Sequence, residues 1–391
     1  MNIRRLLPSI LAVTCLVGAA ACSSAGSSTA GNASQTQSSG GSTASAPASA
    51  DSVNQILAGG TSAPSTIPSG LTKLPKAPEK GLKVAFLTCS DPSCALLNPG
   101  FTDAATALGW NPTVITYNSA QPGQALQQAI NAGYKYIATT SITLNTITPQ
   151  IQEAKAKGVA IFGAYTGDQP QGQSNGLYGV AADFTTSAAS GKLMAAWTIK
   201  DSNSNAHVLF VSLPIYTTLV AQGDAAKAEY AAACATCTFD VLGLSVTQVG
   251  QGQTPSAIVA YLRQHPSTNY VYLAFGGLDA GVAAAIKSAG LADKVKIVGT
   301  QGQKSQLQEM VSGQEAAWSI LPEQYTMWVV VDWMARLNVG ALNQAALDAS
   351  GANPTYMVDT PAAAQAQLGI DEGIWQGPAN FQSQFKALWG V

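Results

Sequence analysis

The folded pattern of this chain begins at Lys83, where short apolar runs start to alternate with longer segments that are apolar on one side only. Residues 84–88 and 113–117 have the length and the β-branched or aromatic content of strands. Residues 101–108 have the pattern of a helix, which Gly109 closes in the left-handed conformation that glycine adopts readily. Alternation of this kind predicts a parallel sheet with helices on both faces.

The alternation starts afresh after residue 183, which predicts a second α/β lobe. Its most regular part, residues 269–302, reads as an aromatic-rich strand that breaks at a Gly-Gly pair, a helix of small residues, and a second apolar strand. In open parallel sheets, ligands bind beyond the carboxyl ends of such strands. Phe275, Asp279 and Gln301 are therefore predicted at the rim of a ligand site.

The amino terminus has the layout of an export signal. Arg4 and Arg5 precede an apolar stretch at 6–21 that is short and rich in small residues. It ends in three alanines and Cys22, which resembles the lipobox of bacterial lipoproteins, although Ala19 stands where that motif usually has Leu. The resemblance implies a signal peptide at 1–21 and a diacyl lipid on Cys22 as the attachment to the outer face of the cell membrane. Ordinary secretory cleavage after Ala21 is the alternative.

Composition separates this leader from the folded part. Residues 22–80 consist mainly of Ser, Gly, Ala, Thr, Gln and Pro, which predicts a lipidated, disordered tether because so little apolar surface cannot offset the entropy of ordering. Over all 391 residues the net charge is −2 and only 10% of residues are charged. That balance offers no basic face for nucleic acid, and no nucleic-acid partner is expected.

From about Lys80 to its end, the chain resembles the type I periplasmic binding proteins of the sugar-binding kind. The resemblance rests on residues 270–290 and 295–302 and on 312–324, where a strand is followed by Pro322 and a helix. It implies an α/β fold of two Rossmann-like lobes with parallel sheets, joined by three hinge crossings. The first lobe is then 81–183 with about 322–343, and the second is 184–321 with part of 344–391.

Such proteins are the substrate-capturing components of ABC importers. The resemblance implies an extracytoplasmic monomer that captures a small polar ligand, a sugar or sugar-like molecule, by lobe closure and delivers it to an ABC permease in the membrane. No cofactor is expected. A ligand sensor or surface interaction protein that uses the same fold without transport is the alternative.

Three positions depart from the pattern of the sugar binders. Phe275-Gly276 stands where an Asn-Asp pair is common, and Gln301 stands where Asp often follows Val-Gly. No Arg occurs at 214–224, where a sugar-binding Arg is common. The departures imply a cleft that is less charged and richer in apolar or amide side chains.

Ligand contacts are predicted for side chains that follow strands or open helices at the expected rim. Carboxylates and amides bind hydroxyl groups, and aromatic rings offer a flat apolar face. Asp183, alone at a strand end beside Phe184, ranks first. Capping or packing is the structural alternative for Asn98 and Phe101, a first-turn helix position for Asp279, and core burial for Tyr165 and Trp318. The predicted ligand-binding residues are Asp91, Asn98, Phe101, Tyr165, Asp183, Phe184, Tyr216, Thr217, Phe275, Asp279, Gln301 and Trp318.

Four cysteines remain after Cys15 in the leader and Cys22 at the lipid site, and they allow three connectivities. Sequence proximity and an oxidising exterior favour disulfides between Cys89 and Cys94 and between Cys234 and Cys237. The first would stiffen the loop that carries Asp91. A zinc site is the rival because Cys234 and Cys237 have zinc-like spacing, but no nearby His completes a ligand set, and no metal is predicted.

No catalytic constellation is recognisable in the sequence. His207 leads into a strand and His265 precedes a proline in a turn, so both are interpreted as structural. Nucleophile-elbow, zinc-protease and phosphate-loop motifs do not occur. The protein is therefore predicted not to be an enzyme.

Overall fold

A computed structural model describes residues 48–370 and 373–391. The predicted signal peptide and the predicted lipid site at Cys22 lie outside these residues. Within the described ranges, no helix has the length and apolar character needed to cross a membrane.

The first lobe is built on a five-stranded parallel sheet in the order β2-β1-β3-β4-β5. Its residues alternate between two apolar layers: Val84 and Phe86 pack on one face, while Ala85 and Leu87 pack on the other. Both faces are covered because helices connect the first four strands along the chain, whereas a loop at 165–176 connects the last two. The elements are β1 (Lys83–Cys89), α2 (Asn98–Ala107), β2 (Asn111–Tyr117), α3 (Pro122–Asn131), β3 (Tyr136–Thr140), α4 (Thr148–Ala156), β4 (Ala160–Ala164) and β5 (Leu177–Ala181).

The second lobe repeats this design around a six-stranded sheet in the order β11-β10-β9-β8-β6-β7. All neighbouring strands are parallel except β11, which pairs antiparallel with β10. Its elements up to the hinge are α5 (Phe184–Asp201), β6 (His207–Ser212), α6 (Thr217–Ala233), β7 (Thr238–Gly243), α7 (Val246–Gly250), α8 (Thr254–Gln264), β8 (Tyr270–Leu273), α9 (Val282–Ser288), β9 (Lys296–Gly299), α10 (Lys304–Val311) and β10 (Ala317–Ile320).

The last seventy residues divide between the lobes. α11 (Glu323–Asn338), α12 (Gln344–Ser350) and α14 (Phe381–Trp389) belong to the first lobe, whereas β11 (Tyr356–Val358) and α13 (Pro361–Leu368) belong to the second. The three predicted crossings lie at 182–184, 321–323 and 351–355. The chain also passes between the lobes at 61–70 and after α13. The hinge therefore contains more chain crossings than the three expected.

The predicted tether at 22–80 is wrong for its second half. Helix α1 (Ala48–Gly60) buries Val53 and Leu57, each 5% exposed, in the apolar core of the second lobe. These positions are four residues apart, so they share one face of the helix. Leu71 and Leu74 are buried in the first lobe. Four apolar side chains at suitable spacing thus anchor this segment to the two cores, although its average composition is that of a disordered chain.

A buried ion pair in α11 connects this helix to the segment before β1 and to α14 at the carboxyl end. The Nε atom of Arg336 lies 2.6 Å from a carboxylate oxygen of Asp332, and both side chains are at most 2% exposed. Arg336 also donates to the carbonyl oxygen of Thr72, and Trp389 Nε1 donates to Asp332. Each charge is therefore paired and hydrogen-bonded, as burial requires.

Candidate ligand-binding cleft

A cavity of about 80 Å³ lies between the two lobes. Its walls come from segments that follow the carboxyl ends of β1, β3 and β4 in the first lobe and of β6, β8 and β9 in the second. This is where ligands bind to open parallel sheets. The volume greatly exceeds the ~10–15 Å³ that one water molecule needs, so the cavity accommodates part or all of a small molecule.

The loop after β1 forms much of the first-lobe wall. Asp91 is half-buried and caps a 3₁₀ turn at Pro92–Leu97, where its Oδ1 atom accepts hydrogen bonds from the backbone N–H and the hydroxyl of Ser93. The sulfur atoms of Cys89 and Cys94 lie at bonding distance, 1.98 Å, and both residues line the cavity. The loop is thereby closed on itself with its carboxylate at the cavity.

Three residues of the cavity wall have left-handed backbone conformations that are uncommon for side chains other than glycine. Ser141 (φ 56°) and Tyr165 (φ 55°) directly follow β3 and β4, and Gln301 (φ 53°) follows the end of β9. Such conformations cost on the order of 1 kcal/mol or more each and persist where the surrounding structure imposes them. Their concentration at one cavity is an independent indication of a functional site.

The second-lobe wall is more apolar. Tyr216, Thr218 and Leu219 come from the start of α6, and Phe275 follows β8. Gly277 permits this arrangement, because a Cβ atom there would stand 2.5 Å from the Phe275 ring. Burial raises the pKa of the Tyr216 hydroxyl.

Glu323 lies at the hinge, as the first residue of α11, and reaches the same cavity. Its Oε2 atom accepts a hydrogen bond of 2.5 Å from the Tyr165 hydroxyl. Burial raises the pKa of Glu323 to about 7, although this hydrogen bond acts in the opposite direction. Burial and the neighbouring carboxyl also raise the pKa of Tyr165, which therefore remains the donor.

The charge of the cavity wall restricts its ligands. Its acidic side chains are Asp91 and Glu323, and within the described part of the chain no Lys or Arg lines it. An anionic ligand would be left without a charge partner in a partly desolvated site, which is unfavourable. A neutral ligand with hydroxyl groups can donate to the carboxylates and also use the hydroxyls of Ser93, Thr140 and Ser141.

The cavity continues into two grooves between the lobes. One, of about 830 Å³, shares Ser141 and Tyr216 with it, and its lining contains amides and hydroxyls but no charged side chain among the described residues. The other, of about 380 Å³, shares Gln301 and Glu323. Together they give the cleft the size of small-molecule sites in general.

Five of the twelve predicted ligand-binding residues line the cavity: Asp91, Tyr165, Tyr216, Phe275 and Gln301. The other predicted residues lie elsewhere. Phe101 and Trp318 are fully buried in the cores of the two lobes, and Asn98 is the first residue of α2. Thr217 is exposed at the start of α6, where its neighbour Thr218 takes the position at the cavity.

Asp183, which ranked first in the sequence, does not line the cavity. Its carboxylate caps α5 by accepting from the backbone N–H of Thr185 at 2.8 Å. Phe184 packs over Gly167, where a Cβ atom would collide with its ring. Asp279 is 3% exposed and accepts from Gln306 instead of facing the cleft.

Sequence reasoning missed five polar or charged residues of the wall: Ser93, Thr140, Ser141, Thr218 and Glu323. Thr140 and Ser141 stand at the end of a correctly predicted strand, so the strand-end rule applied to every strand would have found them. Glu323 follows Pro322 in a segment already recognised as a crossing. No sequence signal distinguishes Ser93 or Thr218.

Two α/β lobes that enclose a polar cleft at their hinge define a solute-binding protein. The sequence matches the family described as periplasmic binding protein domain over residues 84–342. The chain therefore belongs to the periplasmic binding protein family, as its sequence predicted, and the members of this family bind solutes.

Solved structures share the fold at low sequence identity. A carbohydrate transporter from Acidothermus cellulolyticus in complex with myo-inositol has a TM-score of 0.62 and 18% identity, over 73% of this chain and 96% of that one. A 5-methylthioribose transporter solute binding protein from Thermotoga lettingae has a TM-score of 0.64 and 15% identity, over 83% and 99%. A sugar ABC transporter from Yersinia enterocolitica has a TM-score of 0.63 and 18% identity, over 84% of this chain and 99% of that one. No curated protein is significantly similar in sequence.

Proposed function

We propose that this protein captures a neutral, hydroxyl-rich small molecule, a sugar or a polyol, outside the cytoplasm and delivers it to an ABC permease. The observation that carries the proposal is the chemistry of the cavity between the lobes. It combines two carboxyl groups, several hydroxyls and an aromatic ring, without a basic side chain in the described wall. Structures with the same fold contain myo-inositol, 5-methylthioribose, D-allose or allitol, which are neutral molecules with several hydroxyl groups.

The roles of individual side chains follow from their positions. The carboxylate of Asp91 accepts from ligand hydroxyls through the oxygen that Ser93 does not engage. Phe275 and Tyr216 provide apolar surface for the carbon skeleton, and Gln301 offers both a donor and acceptors. Glu323 and Tyr165 form the floor at the hinge.

Ligand binding favours the closed arrangement because the contacting residues belong to both lobes. Asp91 and Tyr165 lie in the first lobe, and Tyr216, Phe275 and Gln301 lie in the second. A ligand that contacts both walls stabilises the closed state relative to an open one by its differential contacts. The permease then recognises the closed form.

Attachment at Cys22 completes this proposal. A lipid at that residue would hold the binding protein, acting as a monomer, near the permease on the outer face of the membrane. Mass spectrometry of protein from a native host would give the mass of the diacylated amino terminus, whereas simple secretion would give a chain that begins at Cys22 without lipid.

Calorimetry of the purified chain with myo-inositol, D-allose, allitol and D-ribose tests the ligand class, with glucuronate as the anionic control. We expect binding to at least one neutral compound and none to glucuronate. X-ray scattering should show compaction with the ligand that binds. Preference for the anion, or binding without compaction, would contradict the proposal.

A further inference from the structure

Three carboxyl groups converge in the second lobe, beside the loops that carry Phe275 and Gln301. Asp279 ends the 3₁₀ turn after β8, Glu309 lies in α10, and Glu315 precedes β10. One oxygen atom from each side chain lies within 4.8 Å of the corresponding atoms of the other two. These residues come from three separate stretches of sequence, so only the fold brings them together.

Burial makes this cluster different from an acidic patch on a surface. Asp279 is 3% exposed and Glu315 is 6% exposed, while Glu309 is half-buried. Asp279 Oδ1, Glu309 Oε2 and Glu315 Oε1 are each buried without a hydrogen-bond partner. Eleven side-chain atoms of the described residues share that condition, and these three are the only carboxyl oxygens among them.

The protein groups around the cluster do not neutralise it. The Nε2 atom of Gln306 donates to Asp279 Oδ2 at 3.1 Å, and Trp318 Nε1 donates to Glu315 Oε2 at 2.6 Å. Both donors are uncharged, and none of the ion pairs found in the described residues includes these acids.

We propose that Asp279, Glu309 and Glu315 bind a hard divalent cation, with Ca²⁺ as the best fit. Carboxylate oxygens are the ligands that Ca²⁺ takes, at about 2.3–2.6 Å. Two oxygens on opposite sides of the ion are then about 5 Å apart, which agrees with separations within 4.8 Å. Mg²⁺ usually keeps several water ligands and is bound by one or two carboxylates, so three convergent carboxyl groups suit Ca²⁺ better.

The site also has an access route and a supporting shell. Glu309 is half-buried, so the ion can enter and keep water ligands on that side. Gln306 and Trp318 hold one oxygen of Asp279 and of Glu315 respectively, which orients the free oxygens toward each other. A bound ion would join the turn after β8 to α10 and β10 and brace the second-lobe side of the cleft.

The cation is tested on the full chain after treatment with EDTA and exchange into buffer free of divalent ions. Calorimetry should detect one Ca²⁺ per chain. At Ca²⁺ about a hundredfold above Kd, the Tm should rise by about 5–10 °C, because an ion that binds only the folded state stabilises it. Tb³⁺ in place of Ca²⁺ should give luminescence sensitised by Trp318 that Ca²⁺ suppresses.

Glu315→Gln is the central variant, since the amide keeps the volume and the acceptor for Trp318 but removes the charge. It should lose the Ca²⁺ response, with Kd raised at least a hundredfold. Glu309→Gln, at the half-buried position, serves the same purpose if the first variant does not fold. Asp293→Asn, an exposed acid of the same lobe, should respond like the unmodified chain.

Two results would overturn the proposal. In one, Ca²⁺ at 10 mM leaves the unmodified chain unchanged in calorimetry and Tm, which would identify the cluster as protonated carboxyl groups that need no ion. In the other, Glu315→Gln keeps the full Ca²⁺ response, which would place the ion elsewhere. Both readouts are independent of sugar binding, so they do not depend on the proposed transport function.

Discussion

The two lobes share one architecture but use their strand-end carboxylates differently. In the first lobe, Asp91 follows β1 by two residues, is half-buried and lines the cavity. In the second, Asp279 follows β8 by six residues, is 3% exposed and faces Gln306, Glu309 and Glu315. An acid close behind a strand of a parallel sheet is thus a cleft residue in one lobe and an internal residue in the other.

The turns that carry these acids explain the difference. Asp91 opens its 3₁₀ turn as the cap, so its side chain stays at the mouth of the loop. Asp279 stands at the end of its turn, and the left-handed Gly281 then redirects the chain into α9. The two turns meet across the cleft: a Cβ atom at Gly277 would be in ordinary van der Waals contact with Asp91 Oδ1, at 3.5 Å.

Removing the carboxylate of Asp91 from the cavity is the strongest test of this difference between the two lobes. Asp91→Ala should weaken binding of the ligand identified by calorimetry by about 30-fold, since a hydrogen bond to a charged group contributes about 1.5–3 kcal/mol. Asp91→Asn should lose less, because the amide still accepts.

Asp183→Ala is the matched control at the end of β5. It removes a helix cap outside the cavity, so ligand affinity should stay the same while the free energy of unfolding falls by about 1 kcal/mol. If Asp183→Ala weakens binding as much as Asp91→Ala does, the cavity is not the binding site.

The fold was predictable from sequence to a greater extent than the site. Glycine-closed helices and apolar strands predicted the parallel strands of both sheets, because burial on two faces requires continuous apolar runs. The antiparallel strand β11 was not predicted. Helix α1 was missed because its two buried side chains, Val53 and Leu57, lie in a segment whose average composition is that of a disordered chain. In the first lobe, α14 brings Trp389 to Asp332, a contact 57 residues away in sequence that no local pattern indicates.

The site was only partly predictable. The ends of strands can be recognised from the local sequence, but the direction in which a side chain points depends on packing between distant segments. Tyr165 and Gln301 were expected at the rim. Their left-handed backbone conformations could not be predicted, because only glycine signals such a conformation in the sequence. The role of Asp183 could not be decided from sequence, because a helix cap and a ligand contact require the same residue type at the same strand end. The convergence of Asp279 with Glu309 and Glu315 depends on the packing of three loops.

Glu323 gives a second test of how carboxyl groups are used in the two lobes, because its own carboxyl group lies between them. Its pKa is raised from an ordinary value of 4.5 to about 7, so the folded state favours the neutral form. The resulting stabilisation is fully present below pH 4.5 and is lost as the pH rises through 7. Because the group is partly exposed, we expect a loss of about 1–2 kcal/mol.

Urea unfolding of the unmodified chain and of Glu323→Gln between pH 4 and pH 8 measures this contribution. The variant keeps an acceptor for Tyr165 and should be less sensitive to pH by about that amount. Equal pH dependence in the two proteins would mean that Glu323 is not desolvated at the hinge.

The smallest effect should separate the two cysteine pairs. The sulfur atoms of Cys89 and Cys94 lie at bonding distance in the loop that carries Asp91, whereas those of Cys234 and Cys237 do so at the far end of α6. Replacing Cys89 and Cys94 by Ser frees the loop and should weaken ligand binding about fivefold, or about 1 kcal/mol. The same replacement at Cys234 and Cys237 should leave affinity unchanged. Peptide mapping without reductant checks both pairings, and an equal loss of affinity in the two variants would show that the first-lobe loop is not specifically preorganised.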